Sequence, residues 1–373
     1  MEKVAKKSSK KKINWLSQIA QFLIGGVLGI LIVSYFFRHD VQITLWSVLL
    51  VMGVAALSFI VGIILHETGH AIAGKLSGME IMNLSYGPFI FAKTNGQNRF
   101  FVKLPAMGYI GRAMLRFPRA IPEEDMRKKM IRFIYGGPVS NLVVAIPLLA
   151  LSFIYGWSGW FVFALVNIFL GLSNLGNVES KGAQTDGRVL SMIKGKQPGA
   201  DLILVSYQIL QEDPQGRGNW SKATAEKAKA VIERYEGWPL AASLLSTVGP
   251  YYYHTNPEAY LALAEGRSFL PRDKQAGILQ DLTDISVATG YFYAGRLLTE
   301  PDMKNKLQLI DDQEPVTRHM RDTYMAMINC DKNTALTSIY AAEQALGEWH
   351  PLYLEGTSLK AVLQDLLDGV KSR

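Results

Sequence analysis

Residues 41 to 70 read VQITLWSVLLVMGVAALSFIVGIILHETGH, and this stretch decides how the rest of the chain is arranged. From Val41 to Leu65 there is no Lys, Arg, Asp, Glu or His, so the run is apolar enough and long enough to cross a bilayer as a helix. It ends directly in His66-Glu67-Thr68-Gly69-His70. Two His residues four positions apart on a helix lie on the same face, where both imidazoles can bind one divalent metal ion. The stretch therefore predicts a metal site at the end of a membrane helix.

The spacing His-Glu-x-x-His is typical of zinc peptidases. Zinc lowers the pKa of a bound water to about 7, and a carboxylate beside the first ligand, here Glu67, can take its proton so that the water attacks a peptide carbonyl. The alternative is a helix that carries two polar His residues without a metal. Idle ionisable groups are costly in a membrane segment, which favours zinc, one ion per chain. The residues predict peptide hydrolysis inside or at the edge of the bilayer.

The charge of the chain is distributed as a topology signal. The 373 residues carry a formal net charge of +7, but six Lys lie within the first twelve residues and ten Lys or Arg lie between residues 79 and 132. Both groups flank apolar segments, so they indicate cytoplasmic loops and no nucleic-acid partner. The single cysteine, Cys330, excludes an intramolecular disulfide, and we expect it to be a small buried hydrophobe.

Four segments predict transmembrane helices. They cover residues 13–37, 43–66 with the zinc motif continuing to residue 78, 133–155 and 160–178. The basic N-terminus places the start of the chain inside, and the spans then alternate in direction. The zinc motif therefore lies near the cytoplasmic face. The pattern predicts a multi-pass protein of the cell membrane with both termini in the cytoplasm.

A membrane-associated β-hairpin is predicted at residues 86–104, between the second and third spans. Phe89 to Lys93 and Arg99 to Leu104 are rich in aromatic and β-branched residues, and they flank Asn95-Gly96, a preferred pair for a tight turn. The edge of this hairpin could pair with an extended substrate strand. Alternatively, the hairpin only packs on the membrane surface.

A catalytic zinc ion needs a third protein ligand. Asp186 lies about as far beyond the start of the fourth span as His66 lies beyond the start of the second, so the two side chains reach similar depths. Glu123 or Glu124, at the cytoplasmic side of the third span, is the alternative. Asn141 places an amide inside that span, where it either joins helices or binds the substrate backbone beside the metal.

Three motifs in this order resemble those of the site-2 protease family of intramembrane zinc metalloproteases. They are His66-Glu67-Thr68-Gly69-His70, Gly137-Pro138-Val139-Ser140-Asn141 and Asp186-Gly187. Residues 105–110, PAMGYI, are also similar to an element that follows the membrane-associated hairpin in bacterial members. The resemblance covers residues 43 to about 190.

The resemblance implies an α-helical polytopic membrane protein with zinc ligands His66, His70 and Asp186. It also implies Glu67 as the general base and Asn141 as a residue that assists binding of the substrate or transition state. One departure is the long polar stretch without proline before Asp186. The expected substrate is a membrane-anchored protein or peptide. Two other functions stay open: a catalytically idle membrane scaffold, and a membrane-anchored zinc protease that acts on soluble cytosolic proteins.

The transmembrane zinc protease domain is expected to cover residues 1–196, followed by an all-α cytoplasmic domain at residues 197–373. Apolar residues recur at helical spacing throughout this second part, with Pro or Gly between many of the segments. Stacked helical hairpins are expected, and an array similar to tetratricopeptide repeats is one form of them. Such a domain could bind a protein partner. The eight segments are 200–211, 221–235, 238–249, 257–269, 272–288, 316–330, 333–346 and 357–370.

Overall fold

A computed structural model describes most of the chain beyond residue 28. Contacts divide it into two compact units: the described residues up to Gly62 with Leu142–Phe169, and Ile63–Asn141 with the residues from Leu170 onward. The predicted domain boundary at residue 196 stays a prediction. The described ranges are 29–35, 37–39, 44–94, 97–102, 111–180, 183–197, 199–213, 217–235, 239–269, 277–310, 314–348 and 354–372.

Two of the described helices are long and apolar enough to cross a membrane. They are α1 (Leu45–Leu76), which contains the His-Glu-x-x-His motif, and α2 (Glu123–Tyr155). A shorter apolar helix, α3 (Ser158–Asn174), follows. Many large apolar side chains of α1 and α2 are exposed, which a protein surrounded by water rarely shows but a lipid-facing helix requires.

The four predicted spans are therefore matched only in part. The second and third correspond to α1 and α2, and the fourth corresponds to α3, which has 17 residues where a span usually needs about 20. The first predicted span, 13–37, falls mostly outside the described residues, although 29–35 are helical. Within the first unit, the buried ring of Tyr35 stacks on Phe161 with ring centroids 3.9 Å apart.

Helix α2 begins ten residues before the predicted start at residue 133. Three acidic residues, Glu123, Glu124 and Asp125, occupy its first turn, where carboxylates interact favourably with the helix dipole. The charged segment is thus the first turns of the same helix and not a separate loop. Arg127 and Met130 therefore belong to the same helix as Phe133, whose carbonyl oxygen contacts His70.

A four-stranded antiparallel sheet lies between α1 and α2 in the sequence. The predicted hairpin is confirmed as β2 (Phe89–Thr94) paired with β3 (Gln97–Val102), in a register that sets Thr94 opposite Gln97. Asn95-Gly96 and the PAMGYI element at 105–110 lie outside the described residues. Two further strands were not predicted: β1 (Glu80–Tyr86) and β4 (Gly111–Arg116). The strand order is β3-β2-β1-β4.

The strands missed from the sequence lack a clean alternation of apolar and polar residues. Strand β1 has intermediate burial along most of its length, and its pairing with β4 contains an irregularity between Ile81 and Asn83. Leu115 of β4 and Phe117 after it are buried in a core with Met130 and Phe133 of α2. This core fixes the sheet to the site-bearing part of α2.

The described residues after the membrane helices are almost entirely helical, as predicted. A two-strand ribbon, β5 (Glu179–Ser180) with β6 (Ala183–Gln184), precedes them. Consecutive helices pack on one another, and the core of this part is built from their buried apolar faces. Cys330 is exposed in a left-handed turn with φ 56°, so its predicted burial was wrong. The helices are α4 (Asp186–Gly195), α5 (Ala200–Glu212), α6 (Lys222–Arg234), α7 (Pro239–Thr255), α8 (Pro257–Ala264), α9 (Gly277–Tyr293), α10 (Met303–Leu307), α11 (Pro315–Ile328), α12 (Lys332–Glu348) and α13 (Leu354–Lys371).

Candidate metal centre

Small residues let α1 and α2 approach closely beside the His-Glu-x-x-His motif. A side chain at Gly69 would collide with the carbonyl oxygen of Gly136, and one at Gly136 would collide with the backbone of Gly69. Ser140 Oγ donates a hydrogen bond to the carbonyl oxygen of Leu65 at 2.8 Å, which joins the two helices. The Gly136-Gly137 pair and Ser140 thus bring the backbone of α2 against the face of α1 that carries His66 and His70.

Helix α2 also sets the orientation of both imidazoles. His66 Nδ1 lies 2.8 Å from Asn141 Oδ1, and His70 Nδ1 lies 2.9 Å from the carbonyl oxygen of Phe133. The Asn141 oxygen and the Phe133 carbonyl are acceptors, and the carbonyl lies closer to His70 Nδ1 than the backbone N–H of Gly137, which is 3.3 Å away. Each Nδ1 therefore carries the proton and each Nε2 keeps a free lone pair. Both Nε2 atoms point to one place and lie 3.2 Å apart.

Asp186 is the first residue of α4 and reaches the same place. Thr185 caps the helix, accepting a hydrogen bond from the backbone N–H of Arg188 and donating one to the carbonyl oxygen of Gly176. A side chain at Gly187 would collide with the carbonyl oxygen of Leu175. The Asp-Gly pair is therefore explained locally: the glycine allows close packing on the preceding turn, and the carboxylate lies at the positive end of the helix dipole.

Asp186 is a carboxylate at neutral pH in this setting. Burial raises the pKa of Asp186, but hydrogen bonds with His66 and His70 outweigh burial and hold the pKa below its ordinary value. Its Oδ2 lies 3.0 Å from His66 Nε2 and 3.3 Å from His70 Nε2. When both imidazoles are neutral and protonated on Nδ1, three electron-pair donors converge here, and a bound cation would stabilise this arrangement.

The dimensions of this cluster fit a zinc ion. With Zn–N bonds of about 2.0–2.1 Å, two ligand atoms of a tetrahedral site lie about 3.3 Å apart. The three distances between the donor atoms are 3.0, 3.2 and 3.3 Å. Gly137 lines the same space: a Cβ built there would lie 2.7 Å from His66 Nε2 and closer still to His70 Nε2. His66, His70 and Asp186 could hold the ion, and the glycine keeps the space between them free.

Glu67 is held on the side of the site formed by the sheet. Its carboxylate accepts a hydrogen bond from the backbone N–H of Ala113 in β4. A Cβ at Gly111, also in β4, would lie 2.6 Å from Glu67 Oε1. The carboxyl group is buried and follows the first imidazole directly in the sequence. Strand β4 therefore fixes the side chain that the sequence predicts as the general base.

The structure brings together all five predicted site residues, which are Glu67, Asn141, His66, His70 and Asp186. The Asn141 carboxamide oxygen faces His66 Nδ1, so Asn141 lies on the side of this imidazole away from Asp186 and His70. Glu123 does not join the cluster, because its carboxylate pairs with Arg127 and Lys227. Within the described ranges, the potential ligand group consists of the two His residues and Asp186.

Sequence reasoning missed three contributors to the site: the Phe133 carbonyl, Gly137 as a space-keeping residue, and Gly111. A backbone acceptor has no residue signature, so Phe133 gave no signal. The signal for Gly137 was present in the Gly136-Gly137-Pro138 run, because Pro138 cannot donate to the carbonyl four residues earlier and loosens the helix there. Gly111 is the first residue of strand β4, which the sequence did not predict.

Comparisons with known proteins agree with this geometry. The sequence model of the family described as Peptidase family M50 matches residues 54–348. A protein of Neisseria meningitidis serogroup A, whose name includes the words zinc metalloprotease, is 30% identical over 103 residues. That match covers 25% of this chain and 23% of the relative, so the chain spans less than a quarter of the relative's length. No solved structure matches the chain.

Proposed function

The chain belongs to peptidase family M50, which contains the site-2 proteases, and we propose on this basis that it is an intramembrane zinc endopeptidase. Membership implies a membrane zinc metalloprotease. The finer proposal is that it binds one zinc ion per chain and cuts membrane-anchored proteins or peptides within the bilayer or near its cytoplasmic side. The observation that carries it is the convergence, at tetrahedral spacing, of two imidazole Nε2 atoms from the apolar helix α1 and one carboxylate oxygen from α4.

His66, His70 and Asp186 are the proposed ligands. A zinc ion held by these three residues would supply Lewis-acid chemistry, and it would lower the pKa of a water to about 7. Glu67 is the proposed general base, which takes the proton of the attacking water and returns it to the leaving amine. The backbone of β4 at Gly111 lies against the Glu67 side chain and restricts its position.

Asn141 is proposed to orient His66. Its carboxamide oxygen fixes the proton on Nδ1 and leaves Nε2 free for the metal. This is a positioning role, and it differs from the substrate-binding role that the resemblance implies. Binding of the substrate backbone by Asn141 stays a prediction.

The sheet gives two candidate edges for an extended substrate segment. The hairpin edge β3 is three strands from β4, which at about 4.8 Å per strand is about 14 Å from the strand that holds Glu67. We therefore propose that a substrate strand lies along β4, beside Glu67, and not along β3. One face of the β2–β3 hairpin exposes Phe89, Phe91 and Phe100, and it is proposed to contact lipid.

The proposed topology is that of a multi-pass membrane protein with both termini in the cytoplasm. The basic N-terminal tail and the ten basic residues between positions 79 and 132 support it, together with the apolar helices α1 and α2. Residues 1–196 form the proposed protease domain. Residues 197–373 form a proposed cytoplasmic helical domain that could bind a protein partner.

A substrate trap tests the proposal in cells. Membrane proteins and released peptides are compared between cells that express the wild-type chain, Glu67→Gln, and the control Glu226→Gln on an exposed helix. We expect one or more membrane proteins to accumulate and their fragments to disappear only in Glu67→Gln. An idle scaffold predicts no difference between the three strains. A protease of soluble proteins predicts fragments from cytosolic proteins alone, and either result would overturn the proposal.

A further inference from the structure

The third proposed ligand belongs to a helix that the other two do not share. His66 and His70 lie on α1, while Asp186 is the first residue of α4, ten residues in length. The position of α4 along its neighbours therefore decides whether Asp186 Oδ2 reaches the two imidazoles. The cap at Thr185 fixes the conformation of the first turn, but its contacts are all local in sequence. Something else must fix α4 against the helices of the site.

Arg127 of α2 makes such a contact at the opposite end of α4. Its Nη1 donates a hydrogen bond to the carbonyl oxygen of Ile193 at 2.8 Å. That carbonyl is one of the last four of the helix, which have no helical N–H partner. Arg127 is buried, and Leu190 and Ile193 of α4 share an apolar core with Met126 and Met130 of α2. A positive charge at the C-terminal end of α4 also interacts favourably with its dipole.

The contact closes a ring of elements around the metal centre. From Arg127 to Phe133 is six residues of α2, about 9 Å, and from Asp186 to Ile193 is seven residues of α4, about 10 Å. The Phe133 carbonyl accepts from His70, and His70 Nε2 lies 3.3 Å from Asp186 Oδ2. Helices α2 and α4 are thus linked at two points: directly by Arg127, and through His70 of α1 at the other end. The two points are separated by nearly the same distance along each helix. A shift of α4 along α2 would therefore break the Arg127 contact and, at the same time, move Asp186 away from His70.

We propose that Arg127 is a positioning residue for Asp186: it holds α4 at the place along α2 where the carboxylate completes the metal centre. The inference rests on the proposed function, because it takes Asp186 to be a zinc ligand. Helix α2 then orients all three ligands, His66 through Asn141, His70 through the Phe133 carbonyl, and Asp186 through Arg127.

The charges beside Arg127 provide a control. Glu123 Oε1 lies 3.3 Å from Arg127 Nη2, and Glu123 Oε2 lies 2.7 Å from Lys227 Nζ. The side chains of Glu123 and Lys227 are 46% and 37% exposed, and ion pairs in such positions contribute little. Replacing Lys227 therefore removes a nearby charge without removing the buried hydrogen bond to α4.

A double-mutant cycle on purified full-length protein in detergent tests the role of Arg127. Zinc affinity is measured by competition with chelators of graded strength for the wild-type chain, Arg127→Met, Asp186→Asn and the double variant. Lys227→Met is the control, and the thermal unfolding midpoint is recorded for each. We expect Arg127→Met to weaken zinc binding about tenfold or more in the wild-type background and to have no further effect once Asp186 is replaced. Lys227→Met is expected to match the wild type.

Each outcome separates the two proposals. If Asp186→Asn alone leaves zinc affinity unchanged, the ligand assignment fails. If Asp186→Asn weakens binding but Arg127→Met has no effect, or has the same effect in both backgrounds, the positioning role is wrong and Arg127 acts on stability alone. Should Arg127→Met not fold, Arg127→Lys replaces it in the cycle, because Lys keeps the charge and one donor. Its zinc affinity is expected to lie between those of the wild type and Asp186→Asn. A zinc affinity equal to that of the wild type, or the same loss of affinity with and without Asp186→Asn, would overturn the role.

Discussion

The carboxamide oxygen of Asn141 accepts a hydrogen bond from His66 Nδ1 at 2.8 Å, joining two apolar helices at the metal centre. The Asn141 side chain is fully buried, so no water can replace this partner. The hydrogen bond determines which ring nitrogen of His66 is free to bind a metal. Several properties of the site depend on contacts of this kind, in which α2 supports a residue of α1.

Asn141→Leu is expected to weaken zinc binding by about 10- to 100-fold, because His66 loses the acceptor that fixes its tautomer and ring orientation. Zinc affinity is measured by chelator competition. Asn167→Leu is the matched control, since Asn167 is also a buried amide in an apolar helix, where it donates to the Phe163 carbonyl at 2.9 Å. An equal loss of affinity in both variants would contradict the specific role of Asn141.

Gly137→Ala is expected to abolish stoichiometric zinc binding. Its added methyl group would lie 2.7 Å from His66 Nε2, in the space between the ligand atoms. Gly53→Ala, on helix α1, is the control because its added methyl group meets no atom within 4 Å. Zinc per chain is measured by elemental analysis of the purified proteins. A Gly137→Ala protein that retains one zinc ion would place the metal elsewhere.

Gly111→Ala is expected to separate zinc binding from catalysis. The new Cβ would lie 2.6 Å from Glu67 Oε1 and would displace the carboxylate, while the three ligands are left in place. We expect cleavage to fall at least tenfold with zinc content unchanged, whereas Gly159→Ala, which has open space around it, retains activity. Full activity of Gly111→Ala would show that strand β4 does not position the base.

The membrane helices and the ligand pair on α1 could be predicted because their signals are local. An uncharged run and a fixed spacing of His66 and His70 need no knowledge of the rest of the fold. The helices of the second half also followed from their periodicity, with starts and ends within a few residues for most of them.

The remaining parts of the site depend on contacts between distant segments. Strand β4, the Phe133 carbonyl and the Arg127 contact with α4 join residues more than 40 positions apart, and no spacing in the sequence encodes them. The predicted start at residue 133 is too late, because the charged residues before it resemble a loop as much as the first turns of a helix. Their carboxylates in fact favour the first turn of a helix.

Substrates are expected to contain helix-weakening residues near the cut. A peptide bond in a membrane helix has its carbonyl bonded to an N–H four residues on, so the helix must open before Glu67 and the metal centre can reach it. Gly and Pro lower the cost of opening by about 1 and 3 kcal/mol relative to Ala. Replacing such residues by Leu in an identified substrate should slow cleavage at equal expression. An unchanged rate would contradict the requirement for unwinding.

The most direct test measures zinc and cleavage on the same preparations. Wild-type and Glu67→Gln proteins are purified, reconstituted in vesicles with a membrane-anchored reporter, and assayed for zinc per chain and for cleaved reporter by mass spectrometry. The proposed mechanism predicts one zinc ion per chain in both proteins, removable by a chelator, and cleavage by the wild type alone. Cleavage by Glu67→Gln at the wild-type rate, or by a wild-type protein stripped of zinc, would contradict it.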